Sequence, residues 1–185
     1  MDEEELLQVD RARGLLAPGW IGPDQAAAVA AALPELPERV VPWLRELAAA
    51  GDWSRFGPLV LTAQWLRPPG LAPVLRGVLE QGGPHGGVAT REDLVSALGE
   101  LGDPEAVPTL VRFFEETWPG EQPYHSTSAK ALEALGFIGT PKALAALREI
   151  ATDASRPDPL RWEAAVQAGI EEELGFDEDE MLGVP

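Results

Sequence analysis

A phrase of thirteen residues occurs twice in the chain, and its spacing constrains the fold more than any other feature. It reads LGELGDPEAVPTL from Leu98 to Leu110 and LGFIGTPKALAAL from Leu135 to Leu147, an offset of 37 residues. A fixed period of this size is typical of stacked helical hairpins, in which each repeat supplies two helices. The sequence therefore predicts a helical repeat architecture.

Two weaker copies precede these two. Five columns around an aligned leucine are apolar in all four copies, at the spacing i, i+1, i+4, i+7 and i+8, which is one stripe of an α-helix. The alignment also places Pro42, Pro73 and Pro108 at the start of that helix, where a missing N–H costs little. The helix with the stripe is called the second helix of its repeat, and the aligned leucines are Leu44, Leu75, Leu110 and Leu147.

A first helix is predicted before each second helix. Small residues such as Gly99 and Gly136 would let neighbouring helices approach closely, and Asp103 and Thr140 are suited to cap the helices that follow them. The predicted first helices are Gln25–Leu33, Arg55–Leu66, Arg91–Leu101 and Ser128–Ile138.

These phrases resemble bacterial HEAT-like repeats, in particular the short type named after phycobilisome lyases. The similarity is carried by Leu98-Gly99, Leu101-Gly102-Asp103-Pro104, Ala106-Val107-Pro108, Ala134-Leu135-Gly136 and Ile138-Gly139. It is strongest over Leu94–Ile150 and weaker over Gln25–Leu79. The resemblance implies an all-α fold, a right-handed α-solenoid (superhelix) of about five HEAT-like helical hairpins, with the second helices lining the concave face.

We expect one HEAT-like repeat domain over residues 1–185. Within it, residues 1–22 form an N-terminal cap and residues 23–156 form four repeats. Residues 157–175 form a partial C-terminal repeat, and residues 176–185 form an acidic tail that we expect to be solvated. Terminal repeats are often atypical because they present a polar outer face.

Charge limits the classes of partner. The chain has 14 basic and 31 acidic residues, a formal net charge of −17. Nucleic-acid binding needs clustered Lys and Arg, so this balance argues against it. The acidity favours either a basic protein partner or simple solubility. The sequence contains no run of 18 apolar residues, so no membrane span is predicted. The acidic start is unlike a signal peptide, and a cytoplasmic location is therefore expected.

The predicted partner-binding surface is the outward side of the second helices and the connection that follows the third of them. An arginine flank of Arg45, Arg76 and Arg148 is expected to pair with Glu46, Glu149 or acids of other repeats. Aromatic residues in a long connection are enriched at interaction hot spots. The predicted partner-binding residues are Trp43, Glu46, Glu80, Arg112, Glu115, Trp118, Tyr124 and Glu149.

The sequence carries no recognisable catalytic, cofactor or metal motif. His85 and His125 are expected to be exposed loop residues, because a metal site needs three or four suitably spaced ligands. The glycine-rich segment 82–87 lacks the Lys-Ser/Thr of a phosphate loop. With no cysteine, thiol chemistry and disulfides are excluded.

The function predicted from these features is a non-catalytic protein–protein interaction module, an adaptor or regulator without a cofactor. Two alternatives remain open. One is an acidic inhibitor or immunity protein that neutralises a cationic partner. The other is a phycobilin-lyase-like tetrapyrrole chaperone, suggested only by the family resemblance and disfavoured by the absence of cysteine and the presence of only two histidines.

Overall fold

A computed structural model of the protein describes residues 1–16, 21–121 and 125–183. These residues form helices and connecting segments, and no strand occurs among them. Contacts divide the chain into two compact units, Met1–Leu94 and Val95–Pro185, called unit 1 and unit 2 below.

Unit 1 contains a short N-terminal helix and two helical hairpins. The N-terminal helix packs on the first helix of the second hairpin, and an ionic cluster joins them. Arg55 donates to both carboxylate oxygens of Asp10 at 2.8 and 2.9 Å and to Asp52 at 2.7 Å. The helices are α1 (Glu3–Gly14), α2 (Pro23–Ala32), α3 (Leu36–Ala50), α4 (Trp53–Leu66) and α5 (Leu71–Glu80).

The division between the units falls within α6 (Arg91–Leu101). In unit 2, α7 packs against α8, and α9 packs against α10. Short 3-10 turns at Pro104–Ala106 and Trp118–Gly120 flank α7. The helices after α6 are α7 (Val107–Thr117), α8 (Ser126–Ile138), α9 (Pro141–Thr152), α10 (Asp158–Ala168), α11 (Glu171–Leu174) and α12 (Glu178–Leu182).

The aligned leucines form the core of each unit, as the repeat predicted. All four are fully buried, so this column of every second helix faces inward, whereas Leu144 of the same predicted stripe is 37% exposed. Close helix approach depends on glycine at one point in particular. A Cβ on Gly99 would lie 2.6 Å from the Cα of Ala134, so only glycine lets α6 and α8 meet this closely.

The all-α prediction is confirmed among the described residues, and the helical hairpins are consistent with the predicted α-solenoid. The predicted caps are also present: Asp103 accepts from the Glu105 N–H at 3.2 Å, and Thr140 accepts from the Ala143 N–H at 3.3 Å. The single-domain arrangement stays a prediction. The segment predicted as an acidic tail contains α12, which packs on α10.

One proline was misplaced by the repeat alignment. Pro42 lies inside α3 rather than at its start, because α3 already begins at Leu36. Leu36 and Val40 are fully buried, and Pro37 occupies the first turn that Pro42 was expected to fill. An interior proline deprives the carbonyl of Glu38 of its helical N–H partner.

Candidate functional site

Three of the predicted partner-binding residues lie in unit 1, and one of them is not on the surface. Trp43 is only 2% exposed and packs beneath Arg39, whose guanidinium carbon lies 6.0 Å from the ring centre. Trp43 therefore packs inside unit 1 and does not lie on the predicted partner-binding surface. Glu46 is half exposed and pairs with the α-amino group of Met1, and Glu80 is exposed at the end of α5.

Four others lie in unit 2, and three of them come together. Glu115 on α7 and Glu149 on α9 line one groove, and Trp118 in the following 3-10 turn is hydrogen-bonded to Glu115. Arg112 is exposed on α7, where its Nε lies 3.9 Å from Glu116. Tyr124 lies outside the described residues.

The groove in unit 2 is closed by an arginine that the sequence did not single out. Arg156 donates from Nη1 and Nη2 to the two carboxylate oxygens of Glu115, at 2.8 and 2.9 Å. Its Nε donates to Asp153 at 3.0 Å. The guanidinium carbon lies 4.9 Å from the ring centre of Trp118 and 5.8 Å from that of Phe114. A bidentate carboxylate and two aromatic rings bind a guanidinium through hydrogen bonds, charge and cation–π attraction.

Two neighbours fix the carboxylates that receive Arg156. The indole N–H of Trp118 donates to Glu115 at 3.3 Å, which orients this carboxylate toward the groove. The Ser155 hydroxyl and backbone N–H both donate to Asp153, at 2.7 and 2.9 Å. These bonds from Ser155, with a further contribution from Arg156, hold the pKa of the Asp153 carboxyl below its ordinary value. Asp153 therefore remains charged at neutral pH.

A second groove lies between α3 and α5 in unit 1. It is lined by Arg45, Ala48 and Ala49 from α3 and by Pro73, Val74, Gly77, Val78 and Gln81 from α5 and its end. Its volume is about 260 Å³, against about 90 Å³ for the groove between α7 and α9. These are called the α3/α5 groove and the α7/α9 groove.

The two grooves occupy equivalent positions of the repeat. When the aligned leucines are superposed, six of the eight residues lining the α3/α5 groove match residues lining the α7/α9 groove. Both grooves therefore arise from the same packing of one second helix on the next. The matched pairs are Arg45 and Val111, Ala49 and Glu115, Val74 and Ala146, Gly77 and Glu149, Val78 and Ile150, Gln81 and Asp153.

The expected pairing of the arginine flank with an acid is present at Arg148. Arg148 donates to both carboxylate oxygens of Glu173 at 2.8 Å, an acid of another repeat rather than Glu149. The hydrogen bonds from Arg148 lower the pKa of Glu173. This pair ties α9 to α11 and leaves Glu149 facing the groove.

The prediction for one of the two histidines was wrong. His85 is exposed, whereas His125 is buried at the start of α8. The carbonyl of His125 accepts from the Ser128 hydroxyl at 3.1 Å, and its N–H donates to the Glu121 carbonyl at 3.0 Å. These backbone bonds fold the segment inward. Within residues 1–16, 21–121 and 125–183, no group of three His, Asp or Glu side chains is placed to hold a metal ion.

Glu121 anchors the same helix start. Burial raises the pKa of Glu121, but hydrogen bonds from Thr127 and Ser128 outweigh this effect, so its pKa is lowered overall. The Ser128 N–H donates to this carboxylate at 2.8 Å. Glu121 therefore stabilises the start of α8.

Arg156 belongs to the candidate site but was not predicted from the sequence. The predicted surface was built from columns of the second helices, and Arg156 lies beyond the end of α9, in the connection to α10. A usable signal was present in the order Asp153, Ser155, Arg156. Asp followed two residues later by Ser is typical of a tight turn in which the Asp side chain accepts backbone N–H groups.

Comparison with known proteins finds a similarity to one family over part of the chain. Residues 88–168, from the segment before α6 to the end of α10, match the family model of HEAT repeats. The match does not distinguish the phycobilisome-lyase type of repeat, which stays a prediction. No curated protein and no solved structure matches the chain. In the part of the chain that the structure describes, no helix is both long and apolar enough to cross a membrane.

Proposed function

We propose that this chain, a HEAT-like repeat protein, is a non-catalytic protein-interaction module that acts as an adaptor or regulator in the cytoplasm. HEAT repeats are commonly protein-interaction scaffolds. The proposed contact surface in unit 2 is the exposed side of α7 and α9 with the 3-10 turn Trp118–Gly120. The α3/α5 groove is the corresponding surface of unit 1.

The observation that carries this proposal is the equivalence of the two grooves. The four aligned leucines show that the central buried position of the repeat is constant, whereas four of the six matched groove positions differ in charge. Packing requirements explain the buried positions and leave the groove positions unexplained. Helical repeat proteins recognise extended partners by placing different side chains at equivalent positions of successive repeats.

The surface also has the composition of an interaction site. Trp118 is half buried beside charged groups, and aromatic and arginine side chains are enriched at interaction hot spots. Glu149 is exposed, and no ion pair of Glu149 is present among the described residues. A carboxylate in this position is available to a partner's cation.

Charge reversal on the proposed face tests the function. The test variant is E115K/E149K, and the matched control is E172K/E178K, which changes charge by the same amount at exposed positions of α11 and α12. In-cell crosslinking and affinity capture, compared by quantitative mass spectrometry, measure the partners of the native and variant proteins. We expect partners of the native protein to be lost from E115K/E149K and retained by E172K/E178K.

Two results would contradict the proposal. Equal partner sets for the native protein and E115K/E149K would remove the α7/α9 face as the contact surface. Equal loss from both variants would show that total charge, rather than this face, controls association. Both comparisons use proteins first shown to be folded by circular dichroism.

An acidic inhibitor of a cationic protein is a second candidate, favoured by the net charge of −17. Attraction between exposed charges is screened over about 8 Å at 0.15 M salt, so such a complex weakens strongly as salt increases. An adaptor that binds through aromatic and hydrogen-bond contacts keeps most of its affinity. The dependence of affinity on salt between 0.05 and about 0.5 M, measured on a captured partner, separates the two functions.

A further inference from the structure

We propose that the α7/α9 groove is a receptor for an arginine side chain of the partner, and that Arg156 occupies this receptor in the free protein. The proposal rests on the proposed function and adds the chemistry of the partner. It is argued from the contacts of Arg156, from the position of this residue in the chain and from the charges of the groove.

The contacts of Arg156 form a complete guanidinium site. Glu115 binds both terminal nitrogens, Asp153 binds Nε, and Trp118 and Phe114 contact the guanidinium by cation–π attraction. Phe114 is fully buried, so this part of the site is fixed by the core of unit 2. Arginine presents a rigid planar fork that matches this arrangement, whereas a lysine ammonium is a compact point charge that cannot reproduce it.

Arg156 enters the groove from an exposed turn rather than from a packed helix. It lies between the end of α9 at Thr152 and the start of α10 at Asp158, and its neighbours Ala154 and Ser155 are exposed. Its own side chain is 17% exposed. The side chain can therefore leave by rotation at this turn, while α7 and α9, which supply Glu115 and the groove walls, keep their places.

The charges of the groove favour a cationic guest. Three carboxylates line it, from Glu115, Glu149 and Asp153, and Arg156 supplies one positive charge. An arginine from a partner would make the contacts that Arg156 makes, so the exchange conserves the ion pair. Glu149 would remain available for a second cation in the same segment, which gives a basic partner an advantage over the internal arginine.

The α3/α5 groove lies at the equivalent position of the repeat but lacks these carboxylates. Ala49, Gly77 and Gln81 stand where the α7/α9 groove has Glu115, Glu149 and Asp153. None of these three side chains carries a charge. The equivalent groove of unit 1 therefore lacks the carboxylates of the arginine receptor, which does not follow from the repeat architecture.

Two short peptides serve as probes. One is N-acetyl-Gly-Arg-Gly-Arg-Gly-amide, and the other has lysine in place of both arginines. They are titrated into the full chain, and binding is followed through the indole N–H signal of Trp118 in two-dimensional NMR, assigned with W118F. The proteins compared are the native chain, R156A, R156Q and R148A. The last is the matched control, because Arg148 makes a bidentate pair with Glu173 outside the groove.

The empty receptor should bind the arginine peptide most tightly. In the native chain, Arg156 occupies the groove and reduces the fraction of molecules that can bind the peptide. R156A and R156Q are therefore expected to bind the arginine peptide about tenfold more tightly than the native chain and R148A. The lysine peptide is expected to bind R156A about tenfold more weakly, because it loses the bidentate contact. Adding E115Q to R156A is expected to abolish the shift of the Trp118 signal.

Several results would overturn the proposal. These are equal affinity of R156A for the two peptides, no binding by R156A and R156Q when both are folded, or binding unchanged by E115Q. If R156A and R156Q both fail to fold, Arg156 is structural rather than replaceable, and the proposal fails in that way. Failure here with continued loss of partners from E115K/E149K would reject the arginine receptor and keep the interaction function.

Discussion

The α3/α5 and α7/α9 grooves lie at equivalent positions of the repeat but differ in the side chains that line them. Both lie between successive second helices, and most of their lining positions correspond in the repeat. The α3/α5 groove is open and mainly apolar. The α7/α9 groove contains a bound guanidinium between carboxylates and aromatic rings. The repeat therefore fixes where a groove forms, and individual residues decide what it can accept.

The difference in volume has an identifiable origin. Ala48 stands at the position that Phe114 occupies in unit 2, and Ala49 stands at that of Glu115. Glu149 likewise replaces Gly77, and these three larger side chains together with Arg156 account for a groove of about 90 Å³ rather than about 260 Å³. Phe114 lies beneath Arg156 and is buried, while Ala48 is half buried at the wall of an open groove.

The largest expected effect is that of removing the Phe114 ring. F114A should lower the free energy of unfolding by about 3 kcal/mol or more, because a buried aromatic side chain is lost and a cavity remains. The matched variant A48G removes one methyl group from the equivalent position and should cost about 1 kcal/mol, mainly through helix propensity. Urea denaturation measures both. Equal costs would show that the two groove walls are alike energetically, which would break the comparison.

A smaller loss of stability is expected when Glu115 is replaced by alanine, the residue at the equivalent position of the α3/α5 groove. E115A removes the bidentate partner of Arg156 and should lower the free energy of unfolding by about 1 kcal/mol, since the pair is partly exposed to water. The control is E149A, on the same groove but without an ion pair among the described residues, which should change stability by less than about 0.5 kcal/mol. Urea denaturation at low and high salt measures the difference. Equal values would mean that Arg156 contributes nothing by being bound.

The helices and the core could be predicted because they follow from periodic constraints. Burial of one stripe requires apolar residues at helical spacing, and Leu44, Leu75, Leu110 and Leu147 show that spacing directly. Close helix approach requires glycine, and Gly99 marks it. Pro42 was misplaced because one column was given the same helix start in every copy, whereas buried Leu36 extends α3 toward the N-terminus.

The candidate site could be predicted only in part. Glu115, Trp118 and Glu149 were predicted because they lie on or just after second helices, and their partner-binding role stays a prediction. Arg156 was not, since its place depends on the path of a turn rather than on a period. Trp43 was misread because flank positions of an amphipathic helix can face either solvent or the next helix, and the side chain of Arg39 covers it. Side-chain partners across elements are set by tertiary structure, which periodicity does not encode.

The smallest expected effect is the loss of stability at acidic pH, which also differs between the two grooves. The pKa of Asp153 is lowered by hydrogen bonds from Ser155 and Arg156, whereas the equivalent Gln81 does not titrate. A lowered pKa means that the unfolded chain binds the proton first, so stability from this turn is complete above the ordinary value of 3.8 and is lost as the pH falls below it.

S155A removes the hydroxyl that contributes most to this lowering. The pKa of Asp153, followed by NMR of its carboxyl carbon, should rise toward the ordinary value, and less stability should be lost between about pH 4 and pH 2. The matched variant in unit 1 is S54A, because the Ser54 hydroxyl donates to Asp52 at 2.8 Å and helps lower its pKa. S54A should raise the pKa of Asp52 and leave that of Asp153 unchanged. An unchanged pKa of Asp153 in S155A would mean that the Ser155 backbone N–H and Arg156 hold the carboxylate without help from the hydroxyl.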